Sequence, residues 1–290
     1  MFHNVITVKD YLSIRFARVS ALTGLMIFVS CGSIWGATPS KADSLDAGFR
    51  QMYNLEFEEA HEIFERWEQT YPDDPLGPAS NAAAYLFSEF DRLQILEIEL
   101  FTDNKDLKDR RKVADPQIKA AFERKLAKAD RLATEKLDQS SSDADALFAQ
   151  VLANGLRGNY AALIEKRNGP ALSFLKSSRS IAEKLIGIDP TYYDAYLAVG
   201  LENYLVGIRS APMRWLLRMS GAQADKKEGI AKLKITAAKG QYLAPYARIL
   251  LAIAAVRDKD SREARELLSG LIREFPKNRL YRSELARLED

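Results

Sequence analysis

The sequence predicts an all-helical chain built from repeated helix pairs, and three observations carry that expectation. Among 290 residues there are only 10 prolines and 15 glycines, alongside many Ala, Leu, Glu, Lys and Arg, a composition that favours helix. No stretch alternates apolar and polar residues with the β-branched content of a strand. Third, Gly48, Ala60, Phe64 and Pro72 stand twelve, four and eight residues apart, and Ala252, Ala264, Leu268 and Pro276 repeat those spacings. In two antiparallel helices, small residues such as Gly48 and Ala60 let the backbones approach. Phe64 then fills the gap between them, and Pro72 ends the second helix.

Residues 1–42 read as a targeting segment. Lys9, Arg15 and Arg18 form a basic start, an apolar stretch runs from Val19 to about Trp35, and Ser40-Lys41-Ala42 offers small residues for signal-peptidase cleavage. Two other readings stay open. The stretch is just long enough for an uncleaved anchor helix, and Phe28-Val29-Ser30-Cys31 resembles a bacterial lipobox, with lipidation at Cys31. All three expect residues 43–290 outside the cytoplasm, in the periplasm, free or attached to the envelope. Of the 42 basic and 40 acidic residues, Lys9, Arg15, Arg18, Lys41 and Asp10 belong to this segment, leaving 38 and 39 in residues 43–290. That balance does not point to nucleic acid. Cys31 is the sole cysteine, so the following domain must be held by packing and not by disulfides.

The helix pairs follow in order. Pair one covers 44–55 and 57–71, where Ala60, Ile63, Phe64 and Trp67 share one face. Pair two opens at Pro78 and runs to about Leu100, with Tyr85, Leu86, Phe90, Leu93 and Leu96 recurring. Its second helix starts at the cap Asp115-Pro116 and ends at Leu137, after a connection over Phe101–Ala114. The polar Ser140-Ser141-Ser142-Asp143 then offers an N-cap. Pair three covers 144–157 and 170–188, with Gly158 and Tyr160 at the turn and an insertion up to Pro170. Pair four begins at Thr191, with Tyr193, Tyr196, Leu197 and Gly200. Arg209–Gly221 is inserted before its partner helix, Lys226–Lys239, which carries Gly229 and Leu233. Pair five covers 243–257 and 261–274, and Asn278–Glu289 reads as an amphipathic helix capping an open end.

Gly48, Ala60, Phe64 and Pro72, with their counterparts near the C-terminus, resemble the consensus of the tetratricopeptide repeat (TPR). The resemblance extends over nearly all of 44–290; it is specific in pairs one and five and degenerate in the three with inserted loops. It implies a right-handed α-solenoid of about five TPR-like helix pairs plus a C-terminal capping helix, with Gly200 at a close-approach position. It also implies a binding surface, with the first helix of each pair lining an inner groove. By register, that groove would present Leu45, Phe49, Met52 and Tyr53 from pair one, and Leu201, Tyr204 and Leu205 from pair four. Pair five would add Tyr246, Ile249, Ile253 and Val256. The opposing expectation is that the inserted segments or tight curvature fill the groove from within.

Motifs for catalysis are weak. His61 is the one histidine beyond His3, so Glu58-x-x-His61 lacks the second carboxylate–histidine pair of a di-iron bundle and reads as a solvated helix face. Ser173-x-x-Lys176 has no companion K-T-G and lies inside a helix. Lys105, Lys108, Arg110, Arg111 and Lys112 are interleaved with aspartates, as in a solvated loop. Met213–Met219 mixes Arg214 and Arg218 with Trp215 and Leu216. It reads as a short helix buried against the solenoid, or as a lid or membrane-facing segment.

The expected function is therefore non-catalytic, without cofactor or metal. The first reading is a scaffold that holds a protein or peptide segment in a concave apolar groove of the envelope. The alternative is an accessory subunit of a periplasmic transport system, with Trp215 over a closed pocket for a small apolar or amphiphilic molecule.

Overall fold

A computed structural model describes residues 44–95, 113–207 and 225–288, all within the unit Pro39–Asp290. The targeting segment with Cys31, most of the 101–114 connection and Trp215 with its neighbours lie outside the described residues.

Eleven α-helices follow one another along the described residues: α1 (Leu45–Tyr53), α2 (Phe57–Thr70), α3 (Leu76–Arg92), α4 (Pro116–Gln139), α5 (Ala144–Asn159), α6 (Asn168–Ile188), α7 (Tyr196–Gly207), α8 (Lys226–Lys239), α9 (Ala244–Arg257), α10 (Ser261–Glu274) and α11 (Arg279–Arg287). Short polar side chains start many of them. Asp115 accepts from Gln117 N (2.7 Å) and Ile118 N (3.3 Å), and Asp143 accepts from Ala146 N at 2.8 Å. Asp225, Asp260 and Asn278 cap α8, α10 and α11 in the same way. Each bond satisfies a donor that the first turn leaves free.

The boundaries differ from expectation where the sequence carries insertions. Helix α3 starts at Leu76, ahead of Pro78, because proline is tolerated in a first turn. Helix α5 does not stop at Arg157; it continues into a π-helical turn, Tyr160–Ile164, that shortens the expected insertion.

Each helix packs on its successor, and α1–α2, α3–α4, α5–α6, α7–α8 and α9–α10 form five antiparallel pairs. The contacts α1–α3 and α3–α5 show that first helices of successive pairs are neighbours. This is an all-α solenoid. Close backbone approach fixes the pairs. A Cβ on Gly48 would lie 2.3 Å from the ring of Phe64, so the ring occupies the space that glycine leaves. Phe64 and Ala60 are fully buried, and a ring so placed contributes about 2–3 kcal/mol of apolar burial. In pair four two glycines face each other. A Cβ on Gly200 would stand 2.9 Å from Gly229 O, and one on Gly229 would stand 2.6 Å from Tyr204 N. In pair five Ala252, Ala264 and Leu268 are buried in the equivalent places. Pro72 and Pro276 each follow the residue that caps a second helix, Tyr71 and Phe275.

The final helix does more than cap an open end. While α11 packs on α10, the residues leading into it bind the first two pairs. Asn278 donates to Tyr53 O at 2.8 Å, and Lys277 N donates to Asn54 Oδ1 at 3.2 Å. Arg279 pairs with both oxygens of Asp91, and Lys277 pairs with Glu56. Beneath these bonds, Tyr53 packs on Phe275 with ring centroids 5.5 Å apart, Phe49 on Tyr242 at 5.1 Å, and Phe87 on Tyr246 at 5.5 Å. The solenoid therefore closes, its last pair seated against its first.

Candidate functional site

Closure turns the inner face of the solenoid into an interior. One cavity lies there, lined by Phe49, Met52 and Tyr53 of α1, Ala83 and Phe87 of α3, and Val151, Leu152, Gly155, Leu156 and Asn159 of α5. Leu175 and Ser178 of α6, Asp194 just before α7, Leu197, Ala198 and Leu201 of α7, and Leu243 and Tyr246 at the start of α9 complete it. It offers about 40 Å³ to water-sized spheres and is partly open to solvent. Its wall is almost wholly apolar, and among the described residues no Lys, Arg or His lines it.

The residues expected to face a groove are distributed as follows. Phe49, Met52, Tyr53, Leu201 and Tyr246 meet at this cavity, all of them buried. Tyr204, Ile249 and Ile253 are buried but do not line it; Tyr204 backs onto Gly229 in the α7–α8 contact. Among the described residues these inward side chains are buried around a cavity that is partly open to solvent. The contribution of α5 was not legible. Its repeat is irregular, and the signal lay in Val151, Leu152, Gly155 and Leu156, which follow helical spacing.

Polar groups on the wall are few, and each has an identifiable role. Asp194, in the 3-10 turn Tyr193–Ala195 before α7, accepts from the backbone N–H of Gln241 (2.9 Å), Tyr242 (3.2 Å) and Leu243 (2.8 Å). It ties α7 to the start of α9. Burial pushes its carboxyl up, and those three bonds oppose the rise. A Cβ on Gly240 would come 2.7 Å from its Oδ1, so the close approach needs glycine. Ser178 donates to Val151 O at 2.8 Å. Tyr53 donates its hydroxyl to Tyr242 O at 3.2 Å, across the closure. Asn159 Nδ2 donates to the Tyr246 hydroxyl oxygen at 3.3 Å, and burial pushes the Tyr246 phenol up to about 12.

A second polar cluster lies between α2, α3 and α4, and it corrects the reading of His61 as a solvated face. His61 Nδ1 stands 2.6 Å from Asn81 Oδ1, and its ring lies 4.0 Å from that of Tyr85. Asn81 Nδ2 donates to Glu68 at 3.0 Å, and Lys125 and Lys128 donate to the same carboxylate at 2.7 and 2.8 Å. The chain of bonds lets three helices bury polar groups together. On α7, Glu202 is fully buried and meets Arg179 at 3.5 Å. The side chain of Asn203 and the hydroxyl of Tyr204 have no hydrogen-bond partner among the described residues. Ser173 is exposed. No group of three or more His, Cys, Asp or Glu among the described residues could hold a metal, and no described helix is long and apolar enough to cross a membrane.

The paired helices, with Phe64 set into the space at Gly48 and Gly200 against Gly229, have the arrangement of tetratricopeptide repeats. The fold is TPR-like. No family model matches the chain, and no curated protein matches it. A solved structure of a thermophilic TPR protein from Thermus thermophilus is similar to it at 16% identity. The match covers 85% of this chain and 99% of that one, with a TM-score of 0.41.

Proposed function

We propose that the chain is a non-catalytic binding module of the bacterial cell envelope, and that its largely apolar interior holds one end of a small amphiphilic molecule. One observation supports this above all. Inward residues of α1, α3, α5, α7 and α9 meet around one apolar cavity, where an open groove would spread them along a surface. At about 40 Å³ that cavity takes the end of a molecule and not the whole of it, since sites for complete ligands run to about 300–1,000 Å³. The basic start and apolar stretch of residues 1–42 support export. In this reading the module serves as the accessory subunit of a periplasmic transport system. A scaffold for a protein segment is the second reading, supported by the TPR-like helix pairs, whose repetition suits extended contact with a partner.

The test is native mass spectrometry of the protein purified from the envelope fraction, alongside Gly155→Leu. A Cβ at Gly155 meets only Ser178 Oγ, at 3.7 Å, so the wall has room for the start of a leucine side chain that projects into the cavity. A co-purifying small molecule, lost in Gly155→Leu, supports the proposal. A stoichiometric protein partner retained by the variant, with no small molecule, replaces it with the scaffold reading.

A further inference from the structure

The cavity carries a donor–acceptor pair that its own fold does not use up. Tyr246 is 6% exposed. Its hydroxyl oxygen accepts from Asn159 Nδ2, which leaves the hydroxyl proton with no acceptor among the described residues. Asn159 is half-buried, and its Oδ1 accepts from no donor among the described residues. One free donor and one free acceptor, side by side on an apolar wall, match a group that both accepts and donates, which is a hydroxyl. The remaining polar groups do not compete. Ser178, Tyr53 and Asp194 are each committed to backbone partners. The charge pattern narrows the class further. Among the described residues Asp194 is the only carboxyl on the wall and no Lys, Arg or His lines it, so an entering carboxylate would lose its water and gain no counter-charge.

Resting on the reading of the cavity as a ligand site, we infer that it selects an uncharged amphiphile whose buried end carries a hydroxyl, bound between Tyr246 and Asn159, and that it rejects fatty carboxylates. Phe49, Met52, Leu201 and Phe87 pack the adjoining carbon chain, and the partly open side lets the chain leave.

The probes are 1-hexanol, hexanoate at neutral pH and 1-fluorohexane, titrated into the full chain labelled at the methionine methyl groups and followed by NMR at Met52. The expected result is a saturable shift with 1-hexanol, and at least about 10-fold weaker binding of hexanoate. Tyr246→Phe is expected to weaken 1-hexanol by about 3- to 10-fold, the worth of a neutral hydrogen bond, and to leave 1-fluorohexane unchanged. Gly155→Leu, its fold checked by circular dichroism, should lose all binding. Hexanoate binding as tightly as 1-hexanol, or Tyr246→Phe binding all probes like the parent, overturns the hydroxyl assignment while the cavity stands. No shift with any uncharged probe overturns the ligand site itself.

Discussion

Identical substitutions at two glycines should have opposite signs. Alanine is the better helix former by about 1 kcal/mol. At Gly155 the added methyl meets nothing closer than 3.7 Å, so Gly155→Ala should raise stability by about 0.5–1 kcal/mol in urea unfolding. At Gly48 it meets the buried Phe64 ring at 2.3 Å, and overpacking of this kind costs about 1–3 kcal/mol. The polar cluster at His61 predicts a pH dependence. Burial holds the His61 imidazole below its ordinary value, though the bond to Asn81 opposes this. The unfolded chain then binds more protons as pH falls from about 6.5, so stability drops through that window. Burial also acts on Glu68, but the bonds from Lys125, Lys128 and Asn81 outweigh it and leave the carboxyl below its ordinary value. Stability from Glu68 is present above its unfolded value of about 4.3 and is lost as pH falls through the folded one. Glu68→Gln should therefore lower stability at pH 7 and flatten the acid limb, whereas His61→Asn should flatten the limb near pH 6. Chemical unfolding across pH 3–8 reads both.

At the scale of elements, pairs one and five are the same object. Asn54 and Asp258 cap their first helices, and the next residues, Leu55 and Lys259, both take positive φ, 66° and 61°. Side chains are strained there by about 1–2 kcal/mol, while glycine is not. Lys259 is exposed, so Lys259→Gly should be neutral or stabilising by up to about 1 kcal/mol, read as a shift in Tm. This recurrence explains which elements were legible. Pairs one and five follow the spacing of small and large residues, and Lys226–Lys239 carries Gly229 and Leu233 at the small and large positions. Pair three was harder because its helix runs into a π turn at Tyr160–Ile164, which no residue type announces. The role of His61 was hidden for a related reason: Asn81 reaches it from α3 and Lys125 reaches the linked Glu68 from α4, and spacing within α2 carries no record of them.

At the scale of the molecule, the closure could not be read from the sequence. It joins segments about two hundred residues apart, such as Tyr53 with Asn278, and its rings are ordinary core residues until the ends meet. Asn278 is the most informative member. It is 3% exposed, donates to Tyr53 O and accepts from Leu280 N. Asn278→Ala should cost about 2–4 kcal/mol, a lost cap plus an orphaned buried carbonyl. Asn278→Asp keeps the cap, removes the donor and sets a carboxylate oxygen against Tyr53 O, so its own cost reads the clasp and the difference between the two variants reads the cap. The exposed pair Arg279–Asp91 should matter little, by about 0–1 kcal/mol. The most direct test of the account is the distance between spin labels at Glu59→Cys and Arg282→Cys, with Cys31 replaced by serine, read by pulsed electron paramagnetic resonance. Both positions are exposed, on α2 and α11. A closed solenoid gives one short, narrow distance that broadens only on unfolding, whereas a long or broad distribution in the native protein would mean an open coil and no enclosed cavity.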